Sequence, residues 1–403
     1  MAGLYIHIPF CATRCIYCGF YSTTRLDLRQ QYVDAVCREM QLRPQASGGK
    51  TAGATVPAGF PAGISTVYLG GGTPSQLTIP QLEQLFIYIN KVYLDQENRP
   101  HDLEVTIEVN PDDVTVPYAA TLSQLGINRV SMGAQTFDDR RLRFLRRRHT
   151  AAQVSVAVQR LRDAGIPNIS VDLMYGFPGQ TLADWHRDID QALALDVPHL
   201  SAYCLTIEKG TPLHRMAVDP CDEETERQMY YALIDRLTAA GYEHYEISNF
   251  ARPGRRSRHN TAYWTDTPYI GLGAAAHSYM PAPTVPDASP SVLSPVNGGT
   301  AAVRSWNTAD LRAYIDAITD GRLPSDREVL DPDTHYNDRI ATALRTADGL
   351  DLAVLTPSHR RHCMKEARRF LSDGLLTLDH DRLRLTRRAL FVSDMVMSQL
   401  MIV

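Results

Sequence analysis

Seven short apolar runs rich in β-branched residues recur over the first 250 residues, separated by stretches whose apolar residues repeat at helical spacing. The runs are "LYIHI" (4–8), "TVYLG" (66–70), "LEVTIEV" (103–109), "NRVSMGA" (128–134), "NISVDLMYG" (168–176), "HLSAYCLT" (199–206) and "YEHYEIS" (242–248). Most are nearly continuous in apolar character, which is how strands covered on both faces of a parallel sheet read. Helical candidates lie at 28–42, 79–93, 151–165, 182–195 and 222–241, and several stop at a glycine. Strand and helix alternating at these intervals admit few folds, because parallel strands need right-handed crossovers that pack back onto the sheet. About six such units make an open or partial barrel, short of the eight that close one.

The pattern breaks twice. "PQASGGKTAGATVPAGFPAG" (44–63) and "PAPTVPDASPSVLSPVNGG" (281–299) are rich in Gly, Ala and Pro and read as insertions or linkers. Beyond the second come helical candidates at 310–321, 336–349 and 357–374, then an alternating hairpin at 375–386. The expected architecture is α/β: a partial (β/α)6 TIM-like barrel over 1–250, a barrel-end or linker segment over 251–309, and a smaller winged-helix-like α+β domain over 310–403. A winged helix often binds DNA, but here acidic residues interleave with the arginines and the formal net charge is −4, so no nucleic-acid partner is expected.

Three of the seven cysteines crowd into Cys11-x3-Cys15-x2-Cys18, directly after the first strand. Clustered thiols in a chain of 403 residues point to a reducing compartment and a metal or redox role rather than a disulfide framework. With no long apolar span and no basic-then-apolar leader, the expected location is the cytoplasm, with peripheral membrane association left open. Thiolates are soft ligands for iron–sulfur clusters and for zinc. Zinc wants a fourth protein ligand, for which His7 is the neighbour. A four-iron cubane takes three thiolates from one loop and leaves its fourth iron to an external ligand. Other polar residues stand where barrel sites form. "GGGTP" (70–74) follows a strand and opens a helix, letting a ligand approach its amides, while Glu108, Gln135 and Asp172 lie at or near successive strand ends.

Taken together, the cysteine loop after "YIHIPF", then "GGGTP", "IEVNP" and "DLMYGFPGQT", resemble the radical S-adenosylmethionine (SAM) superfamily. More narrowly the chain resembles the oxygen-independent coproporphyrinogen III oxidase family, and within it the heme chaperone HemW branch. The resemblance implies that Cys11, Cys15 and Cys18 ligate a [4Fe-4S] cluster whose fourth iron is chelated by SAM. It also implies a SAM site lined by Tyr5, Tyr17, Gly71, Gly72, Thr73, Glu108, Gln135, Arg147, Asp172 and Cys204. An electron donor for the cluster is a further implied partner.

The two branches differ in chemistry. The oxidases decarboxylate propionates of coproporphyrinogen III and carry another cysteine two residues after the third, together with a long N-terminal extension. Here that position is Phe20, and ten residues precede Cys11. "RHNTAYW" (258–264) resembles the chaperone branch's His-Asn-x-x-Tyr-Trp motif, which makes His259 the expected heme ligand. An imidazole is a normal axial ligand, Tyr263 and Trp264 offer flat faces, and Arg255, Arg256 and Arg258 could pair with propionates. From the residues alone, a histidine bonded inside the fold, with the aromatics as core, is the stronger reading; the resemblance turns the balance toward heme. His277 is a second heme candidate. The chaperone reading carries heme, apo-hemoprotein acceptors that can be membrane-bound, and a permitted homodimer. The alternative is the oxidase itself. Finally, "RRLRFLRRRH" (140–149) reads either as a solvated cationic helix face or as an anion site.

Overall fold

The computed structural model describes residues 2–46, 63–94, 100–281 and 302–403. Both Gly/Ala/Pro-rich insertions lie largely outside them. Six βα units run in order: β1 (Ala2–Ile8), α1 (Arg29–Ala46), β2 (Ile64–Gly71), α2 (Ile79–Val92), β3 (Glu104–Val109), α3 (Val116–Gln124), β4 (Arg129–Gln135), α4 (Asp139–Phe144), α5 (Ala151–Asp163), β5 (Ile169–Tyr175), α6 (Leu182–Ala194) and β6 (His199–Cys204), followed by α7 (Pro212–Arg215) and α8 (Glu223–Ala239). β1 to β6 pair in parallel and in sequence order. Threonines start several of the helices. Thr78 with Gln81, Thr150 with Gln153 and Thr181 with Asp184 form reciprocal capping boxes, each satisfying orphan N–H groups at a helix start.

The strands are apolar on one face only. Leu4, Ile6 and Ile8, Val67 and Leu69, Val105 and Ile107, Val130 and Met132, and Val171 and Leu173 point outward into a core shared with Leu82, Leu85, Ile89, Val158 and Leu161 of the helices. The alternate positions point into the barrel and are polar: Tyr5, His7, Thr66, Tyr68, Glu104, Glu108, Arg129, Ser131, Asp172 and His199. They bond to one another across the lumen, as in Tyr68–Glu108, Ser131–Asp172 and Ser170–His199. Reading the runs as apolar throughout therefore overlooked a polar interior.

The seventh run is not a further parallel strand. It folds as a hairpin, β7 (Glu243–Glu246) and β8 (Asn249–Ala251), antiparallel on the edge of β6. The expected linker contributes a helix and strands of the main sheet. α9 (Arg258–Trp264) is followed by β9 (Tyr269–Leu272), which pairs in parallel with β1 on its other side, then β10 (His277–Met280) and β11 (Val303–Asn307). α10 (Leu311–Thr319) and β12 (Ser325–Val329) complete a twelve-stranded sheet in the order β12-β11-β10-β9-β1-β2-β3-β4-β5-β6-β8-β7. Buried Glu39 on α1 ties this edge down. It accepts from the Gly273 N–H (2.8 Å), Tyr314 Oη (2.7 Å), Asn307 Nδ2 (2.8 Å) and Arg43.

A separate hydrophobic core begins at Tyr336 and is built from α11 (Pro332–Ala343), β13 (Leu350–Asp351), α12 (Pro357–Ser372), β14 (Leu376–Asp379), β15 (Arg382–Leu385) and α13 (Ser393–Leu400). Its three strands form a small sheet of their own. Leu311, Tyr314, Ile315 and Ile318 of α10 pack instead in the main core. The two cores thus divide near residue 330, later than the expected 310. Among the described residues no helix is long and apolar enough to cross a membrane.

Candidate functional site

The chain leaves β1 at the barrel's C-terminal rim and enters the cysteine loop. Backbone bonds fix the entry: Cys11 N–H donates to Thr23 O (2.9 Å) and Thr23 N–H to Pro9 O (2.7 Å). The far side is fixed through Ile16, whose N–H donates to Leu145 O (3.4 Å) and whose carbonyl accepts from Leu213 N–H (2.9 Å). Ile16 also packs with Leu145, Met174, Phe177, Leu205 and Leu213 in a small core under the loop.

All three thiols are free, with Cys11 buried and Cys15 and Cys18 half-buried. Burial pushes the Cys11 and Cys18 thiols up, and the neighbouring thiols push them further. Two thiols raised in this way need a cation to stay ionised. His7 is not free to join them. Its Nδ1 faces Tyr5 Oη at 3.0 Å and its Nε2 faces Tyr21 O at 3.1 Å, and burial lowers its pKa to about 4. The neutral ring therefore accepts from Tyr5 and donates to the carbonyl.

The glycine run crosses the rim beside this loop. Gly71 has φ +115°, a conformation costly for any residue with a Cβ, and a Cβ there would lie 2.5 Å from the His7 ring. A Cβ on Gly72 would meet the Pro9 carbonyl carbon at 2.7 Å. The amides expected to meet a ligand are already engaged: Gly71 N–H donates to Glu108 Oε2 (3.0 Å) and Gly72 N–H to Ile8 O (2.8 Å). Thr73 closes the turn, its hydroxyl 2.8 Å from Gly72 O and 3.5 Å from Cys11 Sγ.

Glu108 also accepts from Tyr68 Oη at 2.7 Å. Burial pushes its carboxyl up to about 7 despite these two donors, while part of the residue still opens onto the lumen. Burial likewise raises Asp172, which accepts from Ser131 Oγ at 3.2 Å. Gln135 sits at φ +68° where the β4–β5 register slips. Arg147 reaches in from behind α4 and donates to Asn110 Oδ1 and Gly133 O (2.6 Å each), with Cys15 Sγ 3.6 Å away. Its Nε is buried without a partner. Tyr17 lies beside Cys15 and Arg147, and burial raises its hydroxyl. Cys204 ends β6, where a Cβ on Gly176 would come within 2.9 Å of its sulfur; burial and then the adjacent Glu226 push its thiol up to about 12.

His259 is placed elsewhere. It is 1% exposed at the opposite, N-terminal end of the lumen, where α9 plugs the barrel. Both ring nitrogens are bonded, Nδ1 to Thr66 Oγ1 (2.8 Å) and Nε2 to Tyr263 Oη (2.9 Å). The ring stacks on Tyr68 at 5.0 Å, the His259 backbone N–H donates to Glu104 Oε1 (3.0 Å), and burial lowers the ring's pKa to about 3. Of the nearby arginines, Arg256 pairs with Glu243 and Asp348, and Arg258 with Asp102. Trp264 lies under Arg345 at 5.3 Å. His277, by contrast, is exposed on β10, with its ring 6.1 Å from that of Trp306.

The arginine-rich segment divides. Arg140 pairs with Asp138, Arg141 with Asp138 and Asp184, and Arg148 with Asp112 and Asp113, while Arg147 is drawn into the site. A surface cavity of about 510 Å³ between α4, α5 and α6 is lined by Asp138, Arg140, Arg141, Asp184 and Arg187 but by none of the rim residues. Asn110, Tyr68, Ser131 and Arg129 were not anticipated in the lumen. The signal for them was the polar residue at every second position of the strands.

Residues 5–192 match the family model described as the radical SAM superfamily, and residues 330–392 match the HemN C-terminal domain. A Mycobacterium tuberculosis protein named heme chaperone HemW is 32% identical, covering 99% of this chain and 94% of that protein. A Bacillus subtilis protein of the same name is 35% identical, covering 80% of this chain and 78% of that one. The chain belongs to the HemW family of radical SAM proteins. Its fold matches that of the Escherichia coli coproporphyrinogen III oxidase HemN with a TM-score of 0.79 at 21% identity, over 99% of this chain and 89% of that one. The second core coincides with the HemN C-terminal match.

The rim residues fit the cofactors that radical SAM family membership implies. Cubane cysteines each take a different iron and need not converge on one point. Among the described residues no group of three His, Cys, Asp or Glu side chains is arranged around a single ion. The buried, unpartnered Arg147 Nε and the lumen-facing carboxylates offer polar contacts to a charged ligand beside the thiols.

Proposed function

We propose that this chain is a heme chaperone: it binds heme, holds a [4Fe-4S] cluster on Cys11, Cys15 and Cys18 with SAM at the open iron, and passes heme to apo-hemoproteins. The observation that carries this reading is the 32% identity along 94% of a protein named heme chaperone HemW. Phe20, where the oxidases carry a further cysteine, supports it over decarboxylation.

When bound and reduced, the cluster supplies an electron for reductive cleavage of the sulfonium. The protein's part is positional. The small core under Ile16 holds the loop against the strand ends, and the glycine turn leaves room above them. Arg147 places a cation beside Cys15. Glu108 and Asp172 present carboxylates to a cationic ligand from the lumen.

Heme ligation through His259 requires its Nε2 to leave Tyr263 and α9 to lift from the barrel floor. His277 is the candidate that needs no such opening. Heme titration of the wild type, His259→Ala and His277→Ala is the test, followed by transfer to an apo-hemoprotein. The reading expects a Soret band that one of the two variants loses, and acceptor loading faster than free heme release. No heme binding by the wild type, or loss of two CO2 from coproporphyrinogen III with SAM and reductant, overturns it.

A further inference from the structure

Among the described residues, Arg129 is the only arginine or lysine that is fully buried, at 1% exposure. It opens β4 at the floor of the lumen, directly across from Thr106 of β3, which lies across from Tyr68 of β2. Its Nε and Nη1 are buried without a partner, and so is Thr106 Oγ1. The lumen groups that could answer the charge are committed elsewhere. Glu104 accepts from the Arg258 N–H (3.1 Å) and the His259 N–H (3.0 Å), Glu108 from Tyr68 and Gly71, and Asp172 from Ser131 and Ser170. None of the three forms an ion pair with Arg129. His199 meets Ser170 Oγ through Nδ1 and Tyr245 Oη through Nε2, at 2.7 Å each. Burial, and then the charge of Arg129, lowers the pKa of both His199 and His259, so these two rings are neutral.

The chain treats a buried charge of the other sign differently. Glu39, at 0% exposure, is answered by Arg43 and by the donors of Gly273, Asn307 and Tyr314. A buried ion is costly unless it is paired and hydrogen-bonded, and an arginine does not lose its proton in proteins. An orphaned buried group calls for an ordered water or an ion. Water satisfies an N–H without cancelling the charge, whereas an anion does both. A single positive charge is matched by a single negative one. Thr106, Ser170, His199 and His259 are all at 1% exposure or less, which favours a compact ion over a bulky one.

We propose that Arg129 Nε and Nη1, with the Thr106 hydroxyl as a further donor, bind a compact monovalent anion, a halide or a formate-sized carboxylate, at the floor of the barrel. The ion neutralises the lumen beneath α9 and ties the start of β4 to β3. The site is independent of the cofactor reading, since it lies at the opposite end of the strands from the cysteine loop.

The test follows unfolding of the full chain in rising chloride, and separately in rising formate, at fixed ionic strength made up with bulky gluconate. Each ten-fold rise in the bound anion above its Kd is expected to multiply the wild-type folding constant by about ten. Arg129→Met should be indifferent to both anions, and Thr106→Val should respond only at higher concentration. The two series distinguish a halide site from a carboxylate site. A wild type indifferent to both, or a response that survives in Arg129→Met, overturns the proposal. Should Arg129→Met fail to fold, crystals of the wild type grown in bromide decide. An anomalous peak within hydrogen-bond distance of Arg129 Nε or Nη1 is expected, and water alone at that place overturns the proposal.

Discussion

Replacing Glu108 by Gln keeps its size and removes its charge. In the structure both carboxylate oxygens are used, one accepting from Tyr68 Oη at 2.7 Å and the other from Gly71 N–H at 3.0 Å. Glutamine can accept only one of these and turns an NH2 toward the other donor. A hydrogen bond to a charged group is worth about 1.5–3 kcal/mol, so a loss near 2 kcal/mol is expected for a cationic ligand such as SAM. That corresponds to roughly 30-fold in Kd. The pH dependence gives a second handle. With its carboxyl raised to about 7 by burial, Glu108 is ionised above that pH and protonated below it. Wild-type affinity should therefore be full above pH 7 and weaken as pH falls through it, approaching about ten-fold per unit. The variant should be weak and nearly flat. Equilibrium dialysis of SAM against the anaerobically reconstituted protein from pH 6 to 9 measures both. A variant Kd within two-fold of the wild type at pH 8.5, or a wild-type profile flat through pH 7, would refute the role given to this carboxylate.

Three further outcomes follow from the packing. Glu39→Ala leaves Arg43 and the Gly273, Asn307 and Tyr314 donors without their buried acceptor, so urea unfolding should show a loss of about 3–5 kcal/mol. His259→Ala removes the bonds to Thr66 and Tyr263 and the stack on Tyr68, and should cost about 2–4 kcal/mol whether or not heme is present. Acid sensitivity should change as well. His259 has its pKa lowered to about 3 by burial, so its contribution to stability is present above the ordinary histidine pKa and is lost as pH falls toward 3. In His259→Gln the dependence of unfolding free energy on pH between 4 and 6 should be shallower by about 1.4 kcal/mol per unit; an identical slope would contradict the buried neutral ring.

The βα alternation was legible because outward strand positions such as Ile6, Leu69 and Ile107 carry the apolar signal, and glycines close several of the helical stretches. The second periodicity was masked. Tyr and Thr are good strand formers whether they face water, core or lumen, so Tyr5, Thr66 and Tyr68 did not declare an interior. β9 was missed because "YIGL" is short and pairs with a strand more than 260 residues earlier. Short glycine-containing runs gain their strand character from the partner rather than from propensity. The cysteine loop was legible because its chemistry is local. The place of His259 was not, since Thr66, Glu104 and Tyr68, which enclose it, are remote in sequence and each ordinary alone.

Iron and sulfide analysis of anaerobically reconstituted protein, with its spectrum recorded before and after SAM, bears most directly on the central claim. The account expects about four irons and four sulfides per chain, a spectral change on adding SAM, and loss of all three in Cys11→Ala/Cys15→Ala/Cys18→Ala. Zinc without sulfide, or a cluster retained by the triple variant and indifferent to SAM, would contradict it.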